Sequence, residues 1–76
     1  MDLEFKYDIG DMVEFTLTSY GSPKVYNGVV SERWREKIRY FENKQVRLYK
    51  VNCLQKNMTA FTVSQELIIG KATTGN

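Results

Sequence analysis

The stretch that decides the fold is residues 31–51, which read SERWREKIRYFENKQVRLYKV. Its apolar side chains fit one side of a helix, because Trp34, Ile38 and Phe41 recur at i, i+4 and i+7. Ser31 stands where such a helix needs its N-cap. A short amphipathic helix within residues 31–43 is therefore one interpretation of the stretch.

A β-hairpin is the second interpretation, because the same residues also alternate with a period of two. On a strand, Trp34, Ile38 and Tyr40 share one face. The opposite face carries four cations, Arg33, Arg35, Lys37 and Arg39. Glu42-Asn43-Lys44 then forms the turn, and residues 45–51 form the returning strand. We favour the hairpin and keep the helix as the alternative.

Upstream of this stretch, a first strand is indicated by the alternation of Val13, Phe15 and Leu17 with polar residues. Gly10-Asp11 supplies a tight turn into it, because glycine accepts a positive φ without steric cost. Asp8 and Asp11 flank that glycine and are read as turn residues rather than as metal ligands or a catalytic pair.

The second predicted strand runs from Val25 to about Trp34, after a loop at Tyr20-Gly21-Ser22-Pro23. Proline donates no backbone hydrogen bond, so it is expected outside a central strand. Asn27-Gly28 is a typical two-residue hairpin turn, but it also fits a kink or bulge in one long strand. We favour the long strand, because Pro23 leaves too short a strand before such a turn.

Two further strands complete the predicted fold. Residues 59–63 alternate as a short strand, and residues 67–69 form the last one. Between them Ser64-Gln65-Glu66 is predicted to form a single helical turn capped by the serine. Residues 1–70 are read as one domain and residues 71–76 as a flexible tail.

In order and spacing these elements resemble the SH3-like small β-barrels, with Tudor and KOW-type domains as the nearest comparison. The motifs that carry the resemblance are Ile9-Gly10-Asp11-Met12-Val13, Gly28-Val29-Val30, Tyr49-Lys50-Val51 and Val63-Ser64-Gln65-Glu66-Leu67. The resemblance implies an all-β, five-stranded SH3-like barrel that binds RNA, DNA or protein segments through loops and hairpins and is seldom catalytic. Tudor-like barrels also hold methylated cations in aromatic cages. Tyr20, Tyr26, Trp34 and Tyr49 are the candidates for such a cage here.

Composition narrows the class of function. The 76 residues include no histidine and a single cysteine, Cys53. Histidine general-base catalysis, an internal disulfide and a zinc site of the Cys/His kind are therefore excluded, and we expect no enzyme, cofactor or metal. Cys53 lies in an apolar context and is predicted to be a buried core residue. One thiol, no signal peptide and no membrane-length apolar run favour a cytoplasmic protein.

The charge is distributed unevenly along the chain. Residues 1–15 hold five carboxylates against one lysine, whereas residues 24–50 hold eight cations against three carboxylates. A basic segment interleaved with aromatic residues is typical of nucleic-acid binding, with cations on phosphates and rings on unpaired bases. The candidate binding residues are Arg33, Trp34, Arg35, Lys37, Arg39, Tyr40, Arg47 and Lys50.

Three other interpretations of the basic segment stay open. It can be a solvated edge hairpin whose cations discourage edge-to-edge pairing and are partly neutralised by Glu32, Glu36 and Glu42. It can serve a protein-interaction adaptor or inhibitor, such as a phage or mobile-element accessory protein acting on a host enzyme, with exposed aromatic residues as its hot spots. Homodimerisation through an exposed strand is the third.

Overall fold

The fold is an antiparallel sheet of five strands. The computed structural model describes residues 4–19, 21–38 and 41–72, and it describes their side chains except at positions 19, 38 and 41–44. The strands are β1 (Met12–Ser19), β2 (Ser22–Ile38), β3 (Phe41–Cys53), β4 (Thr59–Ser64) and β5 (Ile68–Lys71). Their order in the sheet is β4-β3-β2-β1-β5. Short 3-10 turns at Leu54–Lys56 and Gln65–Leu67 precede β4 and β5.

The all-β prediction with five strands is confirmed, whereas closure of the barrel is not. Among the described residues β4 and β5 form the two edges of the sheet, and no ladder joins them. The single helical turn predicted before the last strand is present. The predicted serine cap of this turn is wrong. Ser64 occupies the N-cap position with extended backbone, but its hydroxyl makes no capping hydrogen bond.

The hairpin interpretation of residues 31–51 is confirmed, and the helix is excluded for the described part. β2 and β3 pair from Gly28↔Cys53 to Ile38↔Phe41. The turn predicted at Glu42-Asn43-Lys44 is wrong, because β3 already begins at Phe41. Three residues of β3 instead lie opposite the step from Lys37 to Ile38, where the register shifts. Residues 39 and 40, which connect the strands, lie outside the described residues.

Gly28 lies inside β2, so the long-strand interpretation of Asn27-Gly28 is confirmed and the turn is excluded. The glycine is needed for close packing of β2 on β3. A Cβ built at this position would collide with Val51 Cγ1 and stand 2.7 Å from the backbone oxygen of Asn52. The bulge in β2 lies elsewhere, between Val30 and Glu32.

Pro23 also lies in β2, contrary to the predicted loop. It pairs with Thr18 of β1, and β3 joins β2 only from Gly28 onward. This end of β2 is therefore a local edge, where a missing N–H leaves no partner unsatisfied. The position of proline in the chain could not show that the neighbouring strand stops short of it.

The core lies on one face of the sheet and is built from residues of all five strands. Eight side chains are at least 94% buried: Val13, Phe15, Val30, Tyr49, Val51, Cys53, Val63 and Ile68. The predicted burial of Cys53 is confirmed. Phe5, Tyr7, Leu17, Tyr26 and Phe61 pack against this cluster at its rim.

The predicted turn ahead of β1 is confirmed. Gly10 has φ 98°, and the N–H of Asp11 donates to the carbonyl of Asp8 at 3.0 Å. The Asp11 carboxylate accepts the N–H of Asp8 at 2.9 Å and pairs with Lys71 at 3.5 Å. That backbone hydrogen bond, and then the nearby cations, hold the pKa of Asp11 below its usual range against the opposing effect of desolvation.

The C-terminal boundary lies later than the sequence predicts. Lys71, expected at the start of the tail, ends β5 opposite Val13. The N–H of Ala72 donates to the carbonyl of Met12 at 2.9 Å. Residues 73–76 lie outside the described residues.

Candidate nucleic-acid interface

A one-residue bulge decides which face of the β2–β3 hairpin carries which charges. Val30 is opposite Val51, and both are buried, but the register skips Ser31 so that Glu32 is opposite Lys50 and Arg33 opposite Tyr49. Cross-strand partners share a face, so the arginine side of the hairpin continues the core face. Without the bulge, Trp34 would point to that side instead.

From the pair Arg33↔Tyr49 towards the hairpin tip, the core side of the hairpin carries cations. This surface is called the basic face and is defined by Arg33, Arg35, Lys37 and Arg47. The sequence predicted that the first three share a face, and the pairings Arg33↔Tyr49, Arg35↔Arg47 and Lys37↔Gln45 confirm it. Arg35 and Arg47 stand directly opposite each other, an arrangement of like charges that destabilises an isolated sheet.

Arg33 is a cation of the basic face that contacts other groups of the protein itself. Its Nη1 donates to the carbonyl of Tyr7 at 2.6 Å and to Oδ1 of Asp8 at 2.7 Å. Its guanidinium carbon lies 4.9 Å from the centroid of the Phe5 ring. The charge of Arg33 is therefore largely neutralised, and its first role is to hold the N-terminal segment.

That segment, residues 4–8, is called the N-terminal strap. Phe5 and Tyr7 both contact the ring of Tyr49 edge-on, with centroids 5.7 Å apart in each case. The N–H of Lys6 donates to Oε1 of Gln65 at 3.1 Å, and that oxygen also accepts the Tyr49 hydroxyl. Burial raises the pKa of the Tyr49 hydroxyl above its ordinary value of 10.0.

Arg35 and Lys37 extend beyond the strap. The guanidinium of Arg35 lies 5.3 Å from the Phe5 ring centroid, a cation–π contact that leaves the charge in place. Both residues are exposed. Neither forms an ion pair with any described residue, so they are the accessible positive charges of the basic face.

The opposite face of the hairpin, the outer face, carries the acidic residues. Glu32 pairs with Lys50 at 3.8 Å, and Glu36 accepts a hydrogen bond from Nε1 of Trp34 at 3.0 Å. Trp34 is half-buried and lies opposite Leu48. Trp34 and Lys50 are thus separated from Arg35 and Lys37 by the sheet. Of the partial neutralisation that the sequence left open, Glu32 pairs with Lys50, Glu36 forms no ion pair with a described residue, and the side chain of Glu42 lies outside the described ones.

Arg39 and Tyr40 lie outside the described residues, as does Tyr20. The remaining cage candidates are not brought together: Tyr49 is fully buried, Tyr26 lies on the core side opposite Phe15, and Trp34 lies on the outer face. The described residues therefore form no aromatic cage of the predicted composition.

Sequence reasoning missed the strap and its anchor. Phe5 and Tyr7 alternate with charged residues, which is a strand-like signal that an extended segment packs one side on the core. Nothing in the sequence marked Gln65, the single buried polar residue in the described part of the chain. Its partners come from residues 59 and 16 positions away, so its role depends on the tertiary fold.

The described ranges contain no group of three or more metal-ligating side chains. Within them no helix is long and apolar enough to cross a membrane. None of the family models, characterised proteins or solved structures compared with the chain matches it.

Proposed function

We propose that this protein is a non-enzymatic module that binds nucleic acid through the basic face of its β2–β3 hairpin. The observation that carries the proposal is the segregation of charge by face. Arg35 and Lys37 are exposed on one side and form no ion pair with a described residue, while Glu32 and Glu36 lie on the other. Phosphate oxygens carry the opposite charge to Arg35 and Lys37, and the release of counterions favours their binding to such a face.

The arrangement fits recognition of the backbone rather than of the base sequence. Guanidinium groups bind phosphate oxygens in a bidentate manner, and the guanidinium of Arg35 is exposed on the basic face. Trp34 lies on the other face, so base stacking by this ring does not accompany the phosphate contacts. Tyr40 is retained as a predicted stacking residue at the hairpin end, together with Arg39 as a predicted cation.

The proposal includes the family-level expectation from the sequence. The fold proposed is a small barrel of the SH3-like type, as in Tudor and KOW domains, and the five-stranded antiparallel sheet with a single turn before β5 supports it. A cytoplasmic location is also part of the proposal. Cys53 is the only thiol of the chain, and small domains without internal disulfides are typical of reducing compartments.

The experiment measures binding to a single-stranded oligonucleotide of mixed sequence over a range of salt concentrations. Lys37→Gln and Lys50→Gln remove the same charge from opposite faces of one hairpin, so each is the control for the other. We expect Lys37→Gln to lower the slope of log K against log salt by about 0.7, and Lys50→Gln to leave it unchanged.

Equal slopes for the two variants would contradict the placement of the site on the basic face. Absence of a salt-dependent complex with the unmodified protein would contradict the function itself. A duplex of the same sequence, titrated in parallel, tells whether the face prefers single or double strands.

A second candidate function is supported by the outer face. The half-buried Trp34 lies opposite Leu48, with Glu32 and Lys50 beside them, which resembles the aromatic centre and charged rim of protein interfaces. An adaptor or inhibitor would use this face. Pull-down with and without nuclease separates the two functions: a nuclease-resistant partner lost with Trp34→Ala but kept with Lys37→Gln assigns the protein interaction.

A further inference from the structure

A cavity of about 590 Å³ opens at the end of the sheet away from the hairpin tip. It lies between β1 and β2 on one side and the Leu54–Lys56 turn with β4 on the other. Along β2 it is separated from Arg35 by roughly 30 Å of strand. Its lining consists of Leu17, Thr18, Tyr26, Gln55, Lys56, Asn57, Thr59 and Phe61.

The apolar part of the lining is aromatic. Tyr26 and Phe61 contribute rings from different strands, and Leu17 adds an aliphatic side chain. The Tyr26 ring is fixed from behind by Phe15, at 6.2 Å between centroids and 39° between planes. Phe15 and the ammonium group of Lys56 both lie against the Tyr26 ring, so the Phe61 ring is the surface of the cavity on which a flat ligand can stack.

The polar part of the lining presents hydrogen-bonding groups with both donors and acceptors. Oε1 of Gln55 accepts a hydrogen bond from the backbone N–H of Asn27 at 2.9 Å. This contact fixes the orientation of the Gln55 carboxamide and leaves its NH2 group available to donate. Within the described part of the chain, neither this NH2 group nor the carboxamide of Asn57 makes a hydrogen bond. Paired carboxamides match the mixed donor and acceptor edge of a nucleobase.

The charge of the lining points to an anion. Lys56 is the only ionisable cation among the eight lining residues, and none of them is a carboxylate. Its Nζ lies 5.4 Å from the centroid of the Tyr26 ring and forms no ion pair with a described residue. A cationic ligand would be repelled by this ammonium group, which already lies over the Tyr26 ring. An anionic ligand would instead form an ion pair with it.

Backbone strain marks the same loop. Asn57 and Met58 are consecutive residues with φ of 54° and 61°, the only non-glycine residues at positive φ in the described chain. They follow the turn that carries Gln55 and Lys56. Two such residues in succession are costly and tend to occur where a loop is shaped for binding.

We propose that this cavity binds one nucleotide unit, with the base on the Phe61 ring, its edge at Gln55 and Asn57, and its phosphate at Lys56, whose ammonium group lies over the Tyr26 ring. The unit has two sources, a free mononucleotide or an unpaired nucleotide of a single strand. The site is separate from the basic face, so this inference does not rest on the function proposed above.

The test titrates the four 5′-mononucleotides, the matching nucleosides and a trinucleotide into isotopically labelled protein, followed by NMR. We expect shifts of the Asn57 and Thr59 amides and upfield ring-current shifts of the base protons. Lys56→Gln should lower mononucleotide affinity to that of the nucleoside, about tenfold for one charge-assisted contact. Lys71→Gln, which removes the same charge from β5, outside both the cavity and the basic face, should leave it unchanged.

The source of the nucleotide is identified by comparing two affinities, that of the mononucleotide and that of the trinucleotide, before and after Lys56→Gln. Sensitivity of the mononucleotide assigns a free nucleotide, and sensitivity of the trinucleotide alone assigns a strand. Insensitivity of both overturns the proposal, as does displacement of either by an equal concentration of inorganic phosphate. Phe61→Leu keeps the apolar lining but removes a ring, so retention of the upfield base shifts in this variant would also overturn it.

Discussion

The hydroxyl of Tyr49 donates a hydrogen bond to the side-chain oxygen of Gln65, and this pair joins the core to the N-terminal strap. The same oxygen accepts the N–H of Lys6, and the Tyr49 hydroxyl accepts the N–H of Tyr7 at 3.4 Å. Both groups of the pair are more than nine-tenths buried. Two strap residues therefore depend on one buried side-chain hydrogen bond, and through the strap so does the position of Phe5 beneath Arg33 and Arg35.

Removal of this hydroxyl is expected to destabilise the protein. Tyr49→Phe keeps the ring contacts but leaves the N–H of Tyr7 without its acceptor, so the free energy of unfolding should fall by about 1–3 kcal/mol. Urea denaturation measures the change. Tyr26→Phe is the control, because the described residues give the Tyr26 hydroxyl no hydrogen bond, and it should change stability by less than about 0.5 kcal/mol. Equal losses in both variants would contradict the role given to the Tyr49–Gln65 pair.

Stability should also depend on the ionisation of Tyr49 in alkali. The pKa of this hydroxyl is raised in the folded protein, so the unfolded chain ionises first as the pH rises above 10.0. The stabilisation is complete below that pH and is lost as the pH rises towards the folded pKa. Denaturation midpoints measured through this range should fall more steeply for the unmodified protein than for Tyr49→Phe. Parallel curves would show that burial does not shift this pKa.

Close packing at Gly28 gives a matched pair of glycine substitutions. Gly28→Ala places a methyl group against Val51 and the backbone oxygen of Asn52, which cannot move aside, and should cost about 1–3 kcal/mol. Gly70→Ala meets no atom within 4 Å and should be neutral or stabilising by up to about 1 kcal/mol. Thermal and urea unfolding of both variants check the difference. A neutral Gly28→Ala would contradict the close approach of β2 and β3.

Local patterns were enough to predict the elements of this fold. The alternation of Val13 and Phe15 is a property of a few neighbouring residues and marked their burial correctly. The turn at Gly10 and the burial of Cys53 likewise follow from residue type and immediate context. The alternation of Arg33, Arg35 and Lys37 against Trp34 was predicted in the same way and is confirmed by the register.

The orientation of the hairpin relative to the core could not be predicted from those patterns. It depends on the bulge at Ser31, which reverses the facing of every later residue in β2. A bulge is a relation between two strands, and its position is set by how β3 pairs with β2 rather than by the residues of β2 alone. The contact of Arg33 with Asp8 has the same origin, since 25 residues separate the two.

The left-handed residues after the Leu54–Lys56 turn give the last prediction. Met58 has φ 61° and is nearly half-exposed, so its side chain offers little packing to offset a backbone conformation that costs about 1–2 kcal/mol outside glycine. Met58→Gly should relieve this strain, but glycine has more conformational freedom in the unfolded chain, which offsets part of the gain. We therefore expect the free energy of unfolding to rise by about 1 kcal/mol. Met58→Ala is the control, because it removes the side chain and keeps the strain, and it should bring no gain. Urea denaturation of the two variants separates these effects, and a glycine variant no more stable than the alanine variant would show that the loop is unstrained at this position.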